Sequence, residues 1–327
     1  MPNVNCPYVM NGIHFYVDNI RVCSSNAKGL YIKQNYNGED IDWKEVAQIR
    51  TEFQKKLLSG DIPESCKRCF EIESFNSNYT PSSTEQINAI YISHWLHCNS
   101  SCVYCVHKNE TNGEQNYRVK KSKHYDLLPI LKKMLKEDLI SKYARVIATG
   151  GEPTVLKEFD KIMDLFLKNT EARITVLTSG IRFNKKIEKA LKLKRAEVVI
   201  SIDSGCKETY EKIKRVNRFC DVKKNVEKYI KASGNAKDSF ILKYILVKDM
   251  NDNIDEIEKW LSLAAKVKAP AIRLDIDYGN DLYENNSPVP KKYYDIFKYV
   301  IERSKELDLN LVSYGQIDKI LELGYVI

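Results

Sequence analysis

The chain has 327 residues, of which 43% are hydrophobic and 29% charged, with a formal net charge of +8 at pH 7; this is enough for one large domain with an appendage, or for two ordinary domains. No apolar run approaches the ~18 residues that a membrane span needs, and the start MPNVNCPYVMNGIHFYV has no basic segment, apolar stretch and small-residue cleavage site in series, so a cytoplasmic protein without a membrane partner is expected. The excess lysine is spread over amphipathic segments such as KKIEKALKLKR (Lys185 to Arg195), which read as solvated helix faces and argue against a nucleic-acid partner.

In chain order, alternating apolar positions in CPYVMNGIHFYVDNIRVC predict a short hairpin that ends at Cys23. A helical stretch over Trp43 to Leu58 then leads to the pair in CKRC, Cys66 and Cys69. From about Asn88 the rhythm changes. AIYISHWL (Ala89 to Leu96) reads as a strand and is followed by a helix around Tyr125 to Lys136; RVIATG (Arg145 to Gly150) is the next strand, with helical spacing after it. ARITVLTSG, AEVVISIDSG, SFILKYILV and PAIRLDIDYG repeat the strand theme, each followed by a Lys-rich amphipathic segment. Six such units imply a parallel sheet with right-handed crossovers. The expected fold is α/β, a partial (β/α)6 TIM-like barrel over residues 86–327, behind a small N-terminal cysteine-rich α+β module over residues 1–85; a doubly wound open sheet is the competing architecture. Either way, function is expected at the C-terminal ends of the strands.

Nine cysteines in a reducing compartment are not expected to form disulfides. Three of them, Cys98, Cys102 and Cys105, crowd the loop after the first barrel strand. Three thiolates so spaced can hold an iron-sulfur cluster by three of its four irons and leave the fourth open, while zinc completed by His97 or His107 is the rival. One βα unit later, ATGGEPTVL places Gly150 and Gly151, which let a ligand approach the backbone, beside Glu152, which offers a carboxylate to an ammonium group.

Together these motifs resemble the radical S-adenosylmethionine (radical SAM) enzymes, whose three cysteines are separated by three and then two residues, with an aromatic residue before the third, here Tyr104. The resemblance covers about Ala89 to Asn310. It implies a [4Fe-4S] cluster on Cys98, Cys102 and Cys105 whose open iron chelates the amino and carboxylate groups of SAM, with Glu152 and the Gly150–Gly151 backbone receiving the amino group. Tyr104 would sit against adenine, and Ser201 and Asp203 match the ribose-contacting region. Arg215 and Lys243 are candidates for the SAM carboxylate, or else surface charges or substrate contacts. An external one-electron donor such as flavodoxin or ferredoxin, and cleavage of SAM to methionine and a 5′-deoxyadenosyl radical, are further implications.

Cys6, Cys23, Cys66 and Cys69 supply enough thiolates to close a site completely, for zinc or for a cluster. The segment looks like the half-size relative of the SPASM domain called a twitch module, with its starting CP, its CxxC pair and a following acid, Glu71 or Glu73; this implies an auxiliary [4Fe-4S] cluster. Where that module often has a DG turn, this chain has Asp18 and Asn19, and Asn19 is expected to supply positive φ.

Cys206, near the strand ends, is a candidate hydrogen donor to a substrate radical or a small packing residue, and Cys220 reads as a buried hydrophobe. Asp275 and Asp277 alternate along the sixth barrel strand as candidate substrate ligands or a base, or as strand-end caps. The expected function is a radical SAM oxidoreductase or tailoring enzyme acting on a peptide or protein side chain. A sugar or nucleotide-sugar intermediate is the alternative small-molecule substrate, and a zinc-stabilised binding protein is the reading of another class. The N-terminal cysteine segment occupies the place of a leader-peptide-binding domain, which weighs against the peptide.

Overall fold

The structure is a computed structural model that describes residues 4–6, 9, 11–23, 31–62, 66, 73–74, 86–105, 125–277, 289–313 and 325–326. The chain divides into two compact units. The first comprises Met1–Leu96, Lys121–Gly151 and Leu156–Ile174, and the second His97–Lys120, Glu152–Val155 and Thr175–Ile327. This division differs from the boundary expected near residue 85.

In the first unit, strands β1 (Gly12–Tyr16), β2 (Asn19–Arg21) and β3 (Tyr31–Gln34) form an antiparallel run, followed by helix α1 (Trp43–Leu58). Strand β4 (Ile87–Ser93), helix α2 (Leu127–Lys136), strand β5 (Ile140–Ala148) and helix α3 (Phe159–Asn169) follow. The strand order is β5-β4-β1-β2-β3. Strand β1 pairs in parallel with β4 from Gly12↔Ala89 to Tyr16↔Ser93, so the N-terminal hairpin continues the sheet that β4 and β5 begin. The physical reason is apolarity on both faces: Ile13, His14 and Phe15 are all buried, which suits a covered strand better than half of an exposed hairpin. The hairpin turn needs no positive φ, because none occurs at Asp18 or Asn19. Asn19 works through its side chain instead, donating to Asp18 Oδ1 at 2.6 Å and accepting from Arg21 Nε at 2.6 Å. Three of the N-terminal cysteines, Cys6, Cys23 and Cys66, pack into one buried cluster with Val9, Val22 and Leu57. Cys69 lies outside the described residues.

The second unit carries the remaining βα rhythm. It takes up strand β6 (Arg173–Thr178) from Thr175 and continues through α4 (Lys185–Lys192), β7 (Ala196–Ser201), α5 (Lys207–Lys214), α6 (Phe219–Ser233), β8 (Phe240–Leu246), α7 (Ile254–Lys266), β9 (Ile272–Ile276) and α8 (Lys291–Glu306). The order is β9-β8-β7-β6, with β7, β8 and β9 parallel to one another. The protein is therefore mixed α/β with parallel strands, the class to which a partial (β/α)6 TIM-like barrel belongs. Asx side chains start the helices: Asp42, Asp126, Asn184 and Asn253 each accept from first-turn N–H groups of α1, α2, α4 and α7. Helix α6 buries Val222, Val226, Tyr229 and Ile230 along one stripe. Cys220, two positions before that stripe begins, faces away and is exposed, which corrects the expectation of a buried hydrophobe. Among the described residues no helix is long and apolar enough to cross a membrane.

Among the described glycines, Gly205 sits closest to a neighbouring element. A Cβ there would lie 2.0 Å from the carbonyl carbon of Lys259 and 2.3 Å from Trp260 N, both backbone atoms of α7. Gly205→Ala forces β7's following loop and α7 apart, and is expected to cost about 3 kcal/mol in urea unfolding, the upper range for overpacking; a midpoint unchanged from wild type would show that the contact yields freely.

Candidate active site

The candidate residues sit after strand ends: the cysteine loop after β4, Gly150 to Glu152 after β5, Thr178 and Ser179 at the end of β6, Ser201 to Asp203 at the end of β7, and Asp275 and Asp277 at the end of β9.

In the first unit, Gly150 has φ +97°, and a Cβ would lie 2.8 Å from Ser93 Cβ and 3.0 Å from the Trp95 carbonyl oxygen. Only glycine fits, for reasons of both space and dihedral. Thr149 N–H donates to Ile92 O at 2.9 Å and Gly151 N–H to Trp95 O at 3.0 Å, so the β4–β5 ladder continues past the strands. Ser93 is held by a hydrogen bond to His14 Nε2. Burial, reinforced by the Arg21 charge, lowers His14 to about 3, which keeps it neutral.

In the second unit the cysteine loop has no regular secondary structure, yet it is fixed at two backbone points. Ser101 N–H donates to Lys214 O at 3.0 Å and Val103 N–H to Ile213 O at 2.9 Å. These are last-turn carbonyls of α5, which a helix end leaves without intrahelical donors. Cys98 is exposed, and Cys102 and Cys105 are partly exposed. The Ser100 hydroxyl lies 3.3 Å from Cys98 Sγ and 3.5 Å from Cys102 Sγ. Three soft sulfur donors on one short loop, still open to solvent, fit an iron-sulfur cluster bound by three cysteines. Among the described residues no three His, Cys, Asp or Glu side chains converge as ligands of one metal ion.

Tyr104 is tied down at its hydroxyl, which donates to Asp203 and receives Lys214 Nζ at 2.7 Å. Lys214 also pairs directly with Asp203, and both are essentially sealed from solvent, at 2% and 0% exposure. Burial is the strongest influence and would lower the Lys214 pKa, but the Asp203 charge and hydrogen bond together with Cys102 and Cys98 outweigh it and hold the ammonium above the ordinary lysine value. Burial and then the Asp203 charge push Tyr104 far up, so it stays a phenol. Asp203 has φ +56°, and is kept there by Ile245 N–H donating to its Oδ1 at 2.9 Å and by Asn251 Nδ2 donating to its carbonyl at 2.9 Å.

Glu152 is 2% exposed and fully engaged with the chain. Its Oε1 accepts from Thr154 N at 3.1 Å, Thr154 Oγ1 at 2.6 Å and Thr178 Oγ1 at 2.6 Å, while Oε2 accepts from Ser179 N at 2.7 Å.

Two other predicted residues meet each other. Lys243, on β8, pairs with Asp275 on β9 at 2.6 Å, and Asp275 also receives Arg273 Nε at 2.6 Å. Asp277 follows the strand and donates its N–H to Leu246 O at 3.0 Å. Ser201 ends β7, and Arg215 is exposed in the left-handed position that closes α5. Cys206 starts α5; its thiol lies 3.4 Å from Thr209 Oγ1 and 3.9 Å from Glu256 Oε2. The sequence places Thr178 and Ser179 at a strand end where function is expected, but it does not single out Lys214 or Thr154. The signal for Lys214 is its place four residues after buried Tyr210 and next to Ile213, on the apolar stripe of α5.

Removing the Lys214 charge leaves Asp203 buried with no cation. Lys214→Met is expected to cost about 3 kcal/mol at neutral pH. Because the folded-state lysine pKa is raised, the pair's contribution is complete below the ordinary value of 10.5 and fades as pH climbs through the raised one. Denaturant midpoints of wild type and Lys214→Met should therefore converge at strongly alkaline pH; a constant gap would assign the loss to packing alone.

The profile of the radical SAM superfamily matches residues 92–264, more than half of the chain. The GTP 3′,8-cyclase of Clostridium botulinum (strain Hall) is 27% identical over 236 residues, 67% of this chain and 68% of that protein. A protein of Brachyspira hyodysenteriae named GTPase Obg is 25% identical over 179 residues, 54% of this chain but 26% of its own length. Among solved structures, SuiB of Streptococcus suis bound to S-adenosylmethionine superimposes with a TM-score of 0.53 at 14% identity, over 86% of this chain and 58% of SuiB. SuiB bound to its precursor peptide SuiA gives 0.52 at 12% identity, over 98% of this chain and 75% of that one. The chain thus spans about a quarter of the Brachyspira protein and less than two thirds of the SAM-bound SuiB, and it shares the SuiB fold. With the profile covering the three-cysteine loop, the Gly-Gly-Glu turn and the βα units from β4 to α7, the chain belongs to the radical SAM superfamily.

Proposed function

We propose that the protein is a radical SAM enzyme: Cys98, Cys102 and Cys105 hold a [4Fe-4S] cluster, SAM binds at its open iron, and a substrate loses a hydrogen atom. The observation that carries this reading is the cysteine loop itself, with three accessible thiols on a backbone anchored to the end of α5. When bound, the cluster and SAM supply the electron transfer and the hydrogen-abstracting radical. The protein's own part is placement. The Asp203–Lys214 pair holds Tyr104 and the loop rigid, and the Glu152 carboxylate receives the SAM ammonium. Tyr104 is proposed to line the adenine with its ring while its hydroxyl stays on Asp203. An external flavodoxin- or ferredoxin-like donor supplies the electron.

Cys6, Cys23, Cys66 and Cys69 are proposed to hold an auxiliary [4Fe-4S] cluster, supported by the packing of the first three into one buried group. The substrate is proposed to be a peptide side chain, on the fold shared with the peptide-bound SuiB. A nucleotide or nucleotide-sugar is the second reading, favoured by the likeness to GTP 3′,8-cyclase.

Cys102→Ala removes one of three protein ligands, so anaerobic protein with reductant and SAM should yield no 5′-deoxyadenosine; wild-type yield would sink the assignment. Glu152→Gln loses charge-assisted bonds worth about 1.5–3 kcal/mol, and SAM affinity should fall by roughly one to two decades while iron content holds. Unchanged affinity would leave Glu152 as a turn cap only. Cys66→Ala should lose about half the iron and still cleave SAM, with product formation failing. Full product from protein lacking that iron would return the four N-terminal cysteines to zinc or packing.

A further inference from the structure

Beside Thr178 and Ser179, the second unit carries a cavity of 490 Å³ between the loop that follows them after β6 and the first turns of α6. Its size falls in the range of small-ligand sites. Four cations reach it, Arg182 from the loop and Arg218, Lys224 and Lys228 from α6, against one carboxylate, Asp221, which is already paired to Arg218 at 2.9 Å. The walls are built rather than incidental. Buried Asn225 donates to the carbonyls of Gly180 at 2.9 Å and Ile181 at 3.1 Å, and Asn184 N–H donates to Tyr229 Oη at 2.8 Å. The loop that carries Arg182 and Phe183 is thereby locked to the helix that carries the other three cations. Phe183 stacks on Tyr229 with ring centroids 4.8 Å apart and holds the Lys228 ammonium 5.0 Å from its own centroid, so the aromatic floor also keeps a cation at the rim.

We infer that this cavity binds a polyphosphate group. With Asp221 already offsetting Arg218, the site keeps a net charge of about +3, which a single carboxylate ligand would only partly neutralise and a di- or triphosphate meets, and guanidinium forks paired with lysine point charges suit phosphoryl oxygens. Helix α6 begins here with no side-chain cap at Arg218, so its dipole adds to the same attraction. The phosphate source is either free polyphosphate or a nucleotide, whose base would have the Phe183 ring beside it. The inference is independent of the cysteine loop and of the proposed radical chemistry.

The test is calorimetric titration of the full chain with tripolyphosphate, ATP and GTP at low and at raised salt, with sulfate at matched ionic strength as control. Saturable binding of tripolyphosphate that weakens with salt, outcompetes sulfate, and falls about tenfold or more in Arg182→Glu/Lys224→Glu is expected. Both positions are exposed, so circular dichroism and thermal midpoint should stay at wild type. A nucleotide preference over tripolyphosphate that vanishes in Phe183→Leu assigns the site to nucleotides; equal affinities assign it to the polyphosphate group alone. Absence of saturable binding to the wild-type chain, or undiminished affinity in a folded double variant, overturns the inference.

Discussion

The buried pair between Asp203 and Lys214 is the contact on which the cysteine loop's geometry depends. Nine residues without regular secondary structure, 97–105, would lose roughly 1–2 kcal/mol of conformational entropy each on being fixed. They are fixed because α5 ends with carbonyls that need donors, and Ser101 and Val103 supply them. The end of α5 is in turn held by Lys214 reaching Asp203, and Asp203 is fastened to β8 through Ile245 N–H and to Asn251 through its carbonyl. Tyr104 closes the circuit by bonding to both members of the pair. A neutral substitute at either position breaks this path at its most buried link, where uncompensated charge is costly.

Glu152 shows a different economy. A carboxylate in a turn accepts from two threonine hydroxyls and two backbone amides, which fixes its orientation. A group held this way is already arranged before a ligand arrives, so ordering it costs binding nothing further. The same bonds mean that its loss acts on folding as well as on ligand affinity, and the two effects must be read separately.

The βα rhythm from β4 onward was legible because each strand is an apolar run closed by turn residues, and α1 lies where its period places it, Trp43–Leu58. The three-cysteine spacing and the Gly-Gly-Glu turn were legible as chemistry because few other uses combine them. The parallel pairing of β1 with β4 was not, since residues 79 positions apart in sequence meet there and local alternation says nothing about a partner. Lys214 was hidden among lysines that are solvated, and only its phase relative to Tyr210 and Ile213 separates it from them. The engagement of Lys243 with Asp275 was equally invisible, because only the pairing of adjacent parallel strands brings the two side chains to each other. Cys220 fell on the wrong side of α6 by two residues, a 200° error in helical phase that composition cannot correct.

The central claim is that the loop from Cys98 to Cys105 presents an iron-sulfur cluster with one iron open to SAM. Electron paramagnetic resonance of anaerobically reduced protein, recorded on the Cys66→Ala variant so that the N-terminal cysteines contribute no intact cluster, addresses it directly. A [4Fe-4S]⁺ signal whose line shape changes when SAM is added, and which is absent from the same variant lacking Cys102, is the expected result. Stoichiometric zinc with no such signal, or a cluster signal indifferent to SAM, would contradict it.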